Sequence, residues 1–154
     1  MIASLLRAAA LATLLPGLAL AQALPDLQGR EVVVVTENAY PPLQFVDASG
    51  KAVGWEYDAM AEIAKRLNMT VSYQNSSWDA MIPAVAAGEY DMGMTGITIR
   101  DDRKEQVDFS DPYMRSEMVM LVRGDEERFT DAKSFAADPD LLIAAEPGTT
   151  PCYV

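Results

Sequence analysis

Residues 95–103 read TGITIRDDR, and their side chains and backbone suit one task, the holding of a small carboxylate. Thr95 and Thr98 carry hydroxyls, Gly96 leaves room for close backbone approach, and Arg103 adds a guanidinium a few residues on. Backbone N–H groups at a turn or helix start favour an anion, and a guanidinium fork can grip both carboxylate oxygens at once. A hydroxyl-rich loop before a charged turn also serves simply as a helix cap, and Arg103 has Asp101, Asp102 and Glu105 nearby for a surface ion pair. Taken alone, the run leaves both readings open.

A loop of this kind needs a sheet to present it. Residues 31–36, EVVVVT, form a continuous β-branched run, as expected of a strand covered on both faces. Tyr40-Pro41-Pro42 imposes an extended turn, because each proline fixes its own φ and restricts the residue before it. A second short strand is expected over 43–46 and a turn over 47–51, with Gly50 free to take positive φ. The helix expected over 57–67 places Met60, Ile63, Ala64 and Leu67 on one apolar stripe. Glu56 and Asp58 sit at its positive end, Lys65 and Arg66 at its negative end, and Asn68 is a plausible stop. After an alternating strand at 70–74, Ser76 or Ser77 caps a helix carrying Trp78, Met81, Ile82 and Val85, and Gly88 ends it. Pro83 is tolerable only near a first turn, which predicts an irregular start.

The strand at 91–94 runs straight into the 95–103 loop. Alternation of strands and helices argues an α/β layer with a largely parallel sheet, whose ligands sit beyond the carboxyl ends of the strands. Both 37–40 and 95–103 lie just after strands, hence on that rim. Beyond Tyr113 the sequence predicts a strand over 118–123, a polar turn over 124–127, a short helix over 131–136 and a strand over 141–145. Pro147-Gly148-Thr149-Thr150-Pro151 then reads as a helix about to begin.

Composition narrows the functions. With 154 residues, 50% of them hydrophobic, the chain has room for one modest domain or for one lobe and part of another. A net charge of -11 without a basic stripe argues against nucleic acid. Histidine is absent, which excludes His-based acid/base chemistry and His metal ligands; no metal or cofactor is expected. Cys152 is the single cysteine, so no intrachain disulfide is available. Arg7, the apolar stretch 8–20 and the small-x-small sites at Ala19-Leu20-Ala21 and Ala21-Gln22-Ala23 read as a cleavable signal peptide over 1–23. That implies export.

The order of motifs resembles the periplasmic solute-binding proteins of polar amino-acid ABC importers, family 3. The residues that carry the resemblance are Ala39-Tyr40-Pro41-Pro42-Leu43-Gln44-Phe45, Gly54-Trp55-Glu56-Tyr57-Asp58, Trp78-Asp79, Ile82-Pro83-Ala84, Asp91, Thr95-Gly96-Ile97-Thr98, Arg103 and Asp108-Phe109-Ser110-Asp111-Pro112-Tyr113, with Gly148-Thr149-Thr150 further on. The resemblance implies an α/β periplasmic-binding-protein-like lobe over 24–114, a mostly parallel sheet flanked by helices, and a hinge strand with the start of an incomplete second lobe over 115–154. By the same resemblance Arg103 and Thr98 take the α-carboxylate of an amino acid, and Thr95 belongs to the same loop. Gly96 then offers its backbone to the carboxylate or the α-ammonium. Tyr40 and Trp78 look like aromatic walls about the ligand. Glu37 stands where an acid meets its distal group, which favours a basic side chain. Thr149 and Thr150 match a carboxylate-completing helix start in the second lobe.

The implied function is an exported, periplasmic and monomeric receptor that hands a polar amino acid to the membrane subunits of an ABC importer. It has no catalytic residues of its own. The sequence stops before most of the second lobe, so we expect a shortened gene product or an incomplete record, impaired in binding. A dehydratase of cyclic amino-acid precursors on the same scaffold, with Glu37 as its acid, and a non-functional fragment are the competing readings.

Overall fold

The computed structural model describes residues 24–153. β1 (Glu31–Thr36) leads through β2 (Ala39–Tyr40), β3 (Gln44–Val46) and β4 (Ala52–Val53) to α1 (Trp55–Leu67). There follow β5 (Thr70–Asn75), α2 (Trp78–Ala86), β6 (Met92–Gly93) and the single turn α3 (Asp101–Lys104). α4 (Ala132–Ala136) and a 3-10 turn at Thr150–Tyr153 complete the order. The expected signal peptide at 1–23 lies outside the described residues.

β1 takes the centre of a three-stranded sheet, pairing in parallel with β5 on one side and β6 on the other. Its β-branched run fits that place, with Val34, Val35 and Thr36 fully buried. The register sets Glu31 opposite Thr70 and Thr36 opposite Asn75, so the three strands end along one edge. One face packs Val32 and Val34 against Met60 of α1 and Met94, with Tyr57, Met69 and Val71 around them. α2 covers β6 on its own side: Met81 is buried, and a Cβ added at Gly93 would lie 3.6 Å from it. A second, antiparallel sheet in the order β2-β3-β4 carries the proline turn. The α/β lobe with a mostly parallel sheet flanked by helices is thus present.

The entry to α1 is tighter than its sequence suggests. The N–H groups of Trp55 and Glu56 donate to the carbonyls of Pro42 and Leu43, at 3.1 and 2.9 Å. Gly54 turns the chain there at φ 133, and an added Cβ would stand 2.3 Å from the Leu43 oxygen. This clamp starts the helix at Trp55 and sets its rotation. Glu56 and Met60 face inward, while Ile63, expected in the apolar stripe, is 41% exposed. Asn68 closes the helix in the left-handed conformation as expected, its N–H returning to the last turn.

Three further expectations are corrected. α2 begins regularly at Trp78, and Pro83 sits inside it on an exposed face, where the lost amide bond leaves its carbonyl partner near water. Neither 118–123 nor 141–145 forms a strand. Among the described residues neither has a ladder partner, and Val119, Leu121, Leu142 and Ile143 stand 66–100% exposed. β propensity without a neighbouring edge does not make a strand. The helix expected over 131–136 does form, as α4, because it is local: Asp131 and Ser134 close a capping box, and Phe129 packs edge-on to Phe135 at 5.1 Å.

Candidate functional site

Because β1, β5 and β6 are parallel, the segments that follow them emerge on one rim. β1 delivers Glu37 and Tyr40, β5 delivers the start of α2 with Trp78, and β6 delivers the 95–103 loop.

Arg103 is the centre of this rim. It is 3% exposed, and its guanidinium lies 4.9 Å from the centroid of the Trp78 ring. A cation over an indole face is attracted by the ring quadrupole, by about 0.5–2 kcal/mol. Its Nη1 donates to the carbonyl of Thr98 at 2.9 Å and its Nη2 to the carbonyl of Gly148 at 3.0 Å. Among the acids beside it, Arg100 holds Asp102 through both oxygens, and Lys104 reaches Asp101.

The loop itself is fastened from beneath. Thr95 is buried, and its hydroxyl accepts a hydrogen bond from the Gln44 amide at 2.6 Å. Gly96 sits at φ +63, a conformation that favours glycine, with the Tyr40 ring over it; an added Cβ would meet Tyr40 at 2.9 Å and Leu43 at 3.1 Å. Its N–H donates to Oε1 of Glu56 at 2.9 Å. The Gly96 N–H is therefore turned to α1. Tyr113 donates its hydroxyl to the same Glu56 oxygen at 2.5 Å and stacks on Trp55 at 5.3 Å between centroids. Burial, together with the Glu56 carboxylate, pushes the Tyr113 hydroxyl well above the ordinary phenol range.

Glu37 is half-buried beside the start of α2. Burial raises its carboxyl above the ordinary value, and the negative charges of Glu146 and Asp79 add to the rise, against the Trp78 backbone N–H. Three acids thus gather next to the Trp78–Arg103 pair. The 146–150 segment comes to the same place: a Cβ at Gly148 would lie 3.4 Å from the Trp78 indole nitrogen. Thr149 donates both its N–H and its hydroxyl to the Glu146 carbonyl, and Thr150 opens the 3-10 turn.

The structure therefore joins Glu37, Trp78, Arg103, Thr98 and the Gly148-Thr149 turn into one contiguous region, with Tyr40, Gly96 and Thr95 beside it. Tyr40 covers Gly96 and remains 46% exposed. In the sequence Glu56 and the wholly buried Gln44 stand within the motifs of the resemblance, Glu56 also at the positive end of its helix, and neither carries a site role there. Their signal was a polar residue at a position that faces inward, which appears only once the helix rotation and the hairpin register are known. Among the described residues no group of His, Cys, Asp or Glu could hold a metal, and no helix is long and apolar enough to cross a membrane.

A parallel sheet flanked by helices, with its polar groups collected beyond the strand ends, defines a lobe of the periplasmic-binding-protein class. The chain belongs to the bacterial extracellular solute-binding proteins, family 3, whose family model matches residues 32–145. A probable histidine-binding protein of Neisseria gonorrhoeae is 38% identical over 101 residues, covering 65% of this chain and 38% of the relative. A solved ancestral arginine-binding protein bound to arginine is 41% identical with a TM-score of 0.54, over 56% of this chain and 38% of its own. A mutant of the arginine-bound form of domain 1 from TmArgBP is 37% identical with a TM-score of 0.52, over 55% of this chain and 65% of that domain. An ancestral cyclohexadienyl dehydratase is also similar, 31% identical with a TM-score of 0.52, over 55% of this chain and 35% of its own. The chain spans less than half the length of the curated relatives it matches, 38% and 36% for the first two.

Proposed function

We propose that this protein captures a polar amino acid with a cationic side chain at the rim beyond β1 and β6, as the receptor of an ABC importer outside the cytoplasmic membrane. The observation that carries the reading is the buried Arg103 guanidinium over Trp78, its outer nitrogens turned to the carbonyls of Thr98 and Gly148. A chain carbonyl there stands in for a ligand carboxylate, which binds the same nitrogens more strongly because it is charged. Thr98 and Thr150 supply further donors, Thr95 and Thr149 brace the two turns through Gln44 and the Glu146 carbonyl, and Tyr40 and Trp78 give the apolar faces. Glu37, with Glu146 and Asp79 close by, favours a cationic distal group and opposes an anionic one.

In this reading 24–114 form the ligand lobe, 115–154 begin a second, and 1–23 direct export. The similarity to proteins named for binding histidine and arginine supports it. So does the arginine-bound single domain of TmArgBP, which indicates that one lobe suffices to hold a ligand. Contacts from one lobe alone give weaker binding than a closed two-lobe cleft, for which a micromolar Kd needs about 8 kcal/mol. The protein acts as a monomer and binds without catalysis.

The test is calorimetry or NMR titration of the chain with arginine, lysine, ornithine, histidine, glutamine and glutamate. Basic amino acids bind most tightly and glutamate least. Saturation by none of them at millimolar concentration refutes the proposal. The raised Glu37 carboxyl and the likeness to an ancestral dehydratase favour one second reading, a dehydratase with Glu37 as proton donor. Release of an aromatic product from prephenate or arogenate would decide for it.

A further inference from the structure

Glu56 is 2% exposed at the second residue of α1, a place where an apolar side chain would fill the same space without the desolvation that a carboxylate suffers. What distinguishes an acid there is what it grips. Oε1 accepts both the Gly96 N–H and the Tyr113 hydroxyl, while Oε2 is buried with no hydrogen-bond partner among the described residues. Both donors reach this one oxygen at the first turn of α1, at 2.9 and 2.5 Å.

Gly96 is the pivot of the loop that carries the Arg103 contact. In a trans peptide the Thr95 carbonyl points opposite to the Gly96 N–H. Holding that N–H against Glu56 therefore turns the Thr95 carbonyl away from α1 and orients the whole peptide plane. On the other side of Gly96, the Thr98 carbonyl holds Arg103. Tyr113, stacked on Trp55, is the last residue of the DFSDPY run before the chain leaves the lobe. One carboxylate oxygen thus ties together the start of α1, the ligand loop and the exit from the lobe.

We infer that Glu56 is a positioning residue of the ligand site, fastening the 95–98 loop and the Tyr113 segment to α1 so that Arg103 and Thr98 are held ready for a carboxylate. This rests on the proposed reading of the site as an amino-acid pocket. Pre-organised loops bind more tightly because less is ordered on binding. Glu56 itself need not touch the ligand.

The test compares the full chain with Glu56→Ala and Glu56→Gln. Amide hydrogen exchange at Gly96, followed by NMR without ligand, reports the loop; calorimetric titration with L-arginine well below each variant's Tm reports the site. In Glu56→Ala the Gly96 amide exchanges at least ~10-fold faster and arginine binds about 10-fold more weakly, the loss expected for a charge-assisted hydrogen bond. Glu56→Gln keeps an acceptor oxygen and restores both to within about threefold, while Tyr113, freed of the charge, titrates closer to an ordinary phenol. A residue that merely fills space lowers Tm and leaves Gly96 exchange and arginine affinity as they were, which overturns the inference. Should Glu56→Ala not fold, Glu56→Leu fills the same space without an acceptor, and unchanged Gly96 exchange and arginine affinity in it overturn the inference equally. Should the unaltered chain bind no arginine, the functional proposal falls alone, and Gly96 exchange still decides the role of Glu56 in the loop.

Discussion

Replacing Arg103 with alanine removes the group on which the binding reading turns. Its guanidinium is 3% exposed, so its contacts are barely screened by solvent. Each charge-assisted hydrogen bond of that kind contributes about 1.5–3 kcal/mol, and a fork holding a carboxylate makes two. Even with strong non-additivity the loss is about 3 kcal/mol, or roughly a hundredfold in Kd for a basic amino acid. Some of the effect falls on the fold. The same side chain bridges Thr98 to Gly148 and lies 4.9 Å from the Trp78 centroid, so Tm drops as well. Titration with L-arginine must therefore be made at a temperature where circular dichroism shows the variant folded. Arg103→Lys separates charge from geometry: it keeps the cation, loses the planar fork, and should weaken binding by about tenfold. If Arg103→Ala binds arginine within threefold of the unaltered chain, the guanidinium does not hold the ligand and the reasoning fails.

Glu37 makes a pH prediction whose sign follows from its raised carboxyl. The folded chain holds that proton to higher pH than the unfolded chain, so stability falls as pH rises just above the ordinary value of 4.5, and Glu37→Gln removes this fall in a Tm-against-pH series. Over the same interval arginine binding strengthens as Glu37 ionises; a pH-independent Kd would contradict the acid's role. Gly54→Ala forces a Cβ to 2.3 Å from a backbone oxygen at φ 133 and should cost about 3 kcal/mol, lowering Tm by at least roughly 10 °C, whereas Gly124→Ala, with open space around it, should be near neutral. Limited proteolysis should cut within 114–123 or 141–146, where the backbone is exposed and without regular structure, and leave a protected core ending near Tyr113. Uniform protection to the end of the chain would show the tail to be folded.

Much of the lobe was legible in the sequence because its signals are local. The EVVVVT run, the dipole-matched helix stopped by Asn68 and, further on, the short helix over 131–136 depend on neighbours a few residues away, and each appears nearly where expected. The strands expected at 118–123 and 141–145 failed for the opposite reason, since a ladder requires a partner edge that no local signal supplies. The nine candidate site residues were chosen by motif; parallel pairing, which the alternation of strands and helices already implied, places the seven from Glu37 to Arg103 on one rim, while Thr149 and Thr150 come there only through the contacts of Gly148 with Arg103 and Trp78.

By itself, then, the sequence determined the element types as far as Arg103, the parallel α/β arrangement and the presence of a guanidinium beside a hydroxyl-rich loop. Only the tertiary structure decided which groups of that loop remain available. The rotation of α1, set by the Gly54 clamp on the Pro42 and Leu43 carbonyls, carries Glu56 to the Gly96 amide, and the hairpin register carries Gln44 to Thr95. Such contacts join residues 40 and 51 positions apart. Their geometry depends on how whole elements are turned against one another, and no spacing within a single element encodes that.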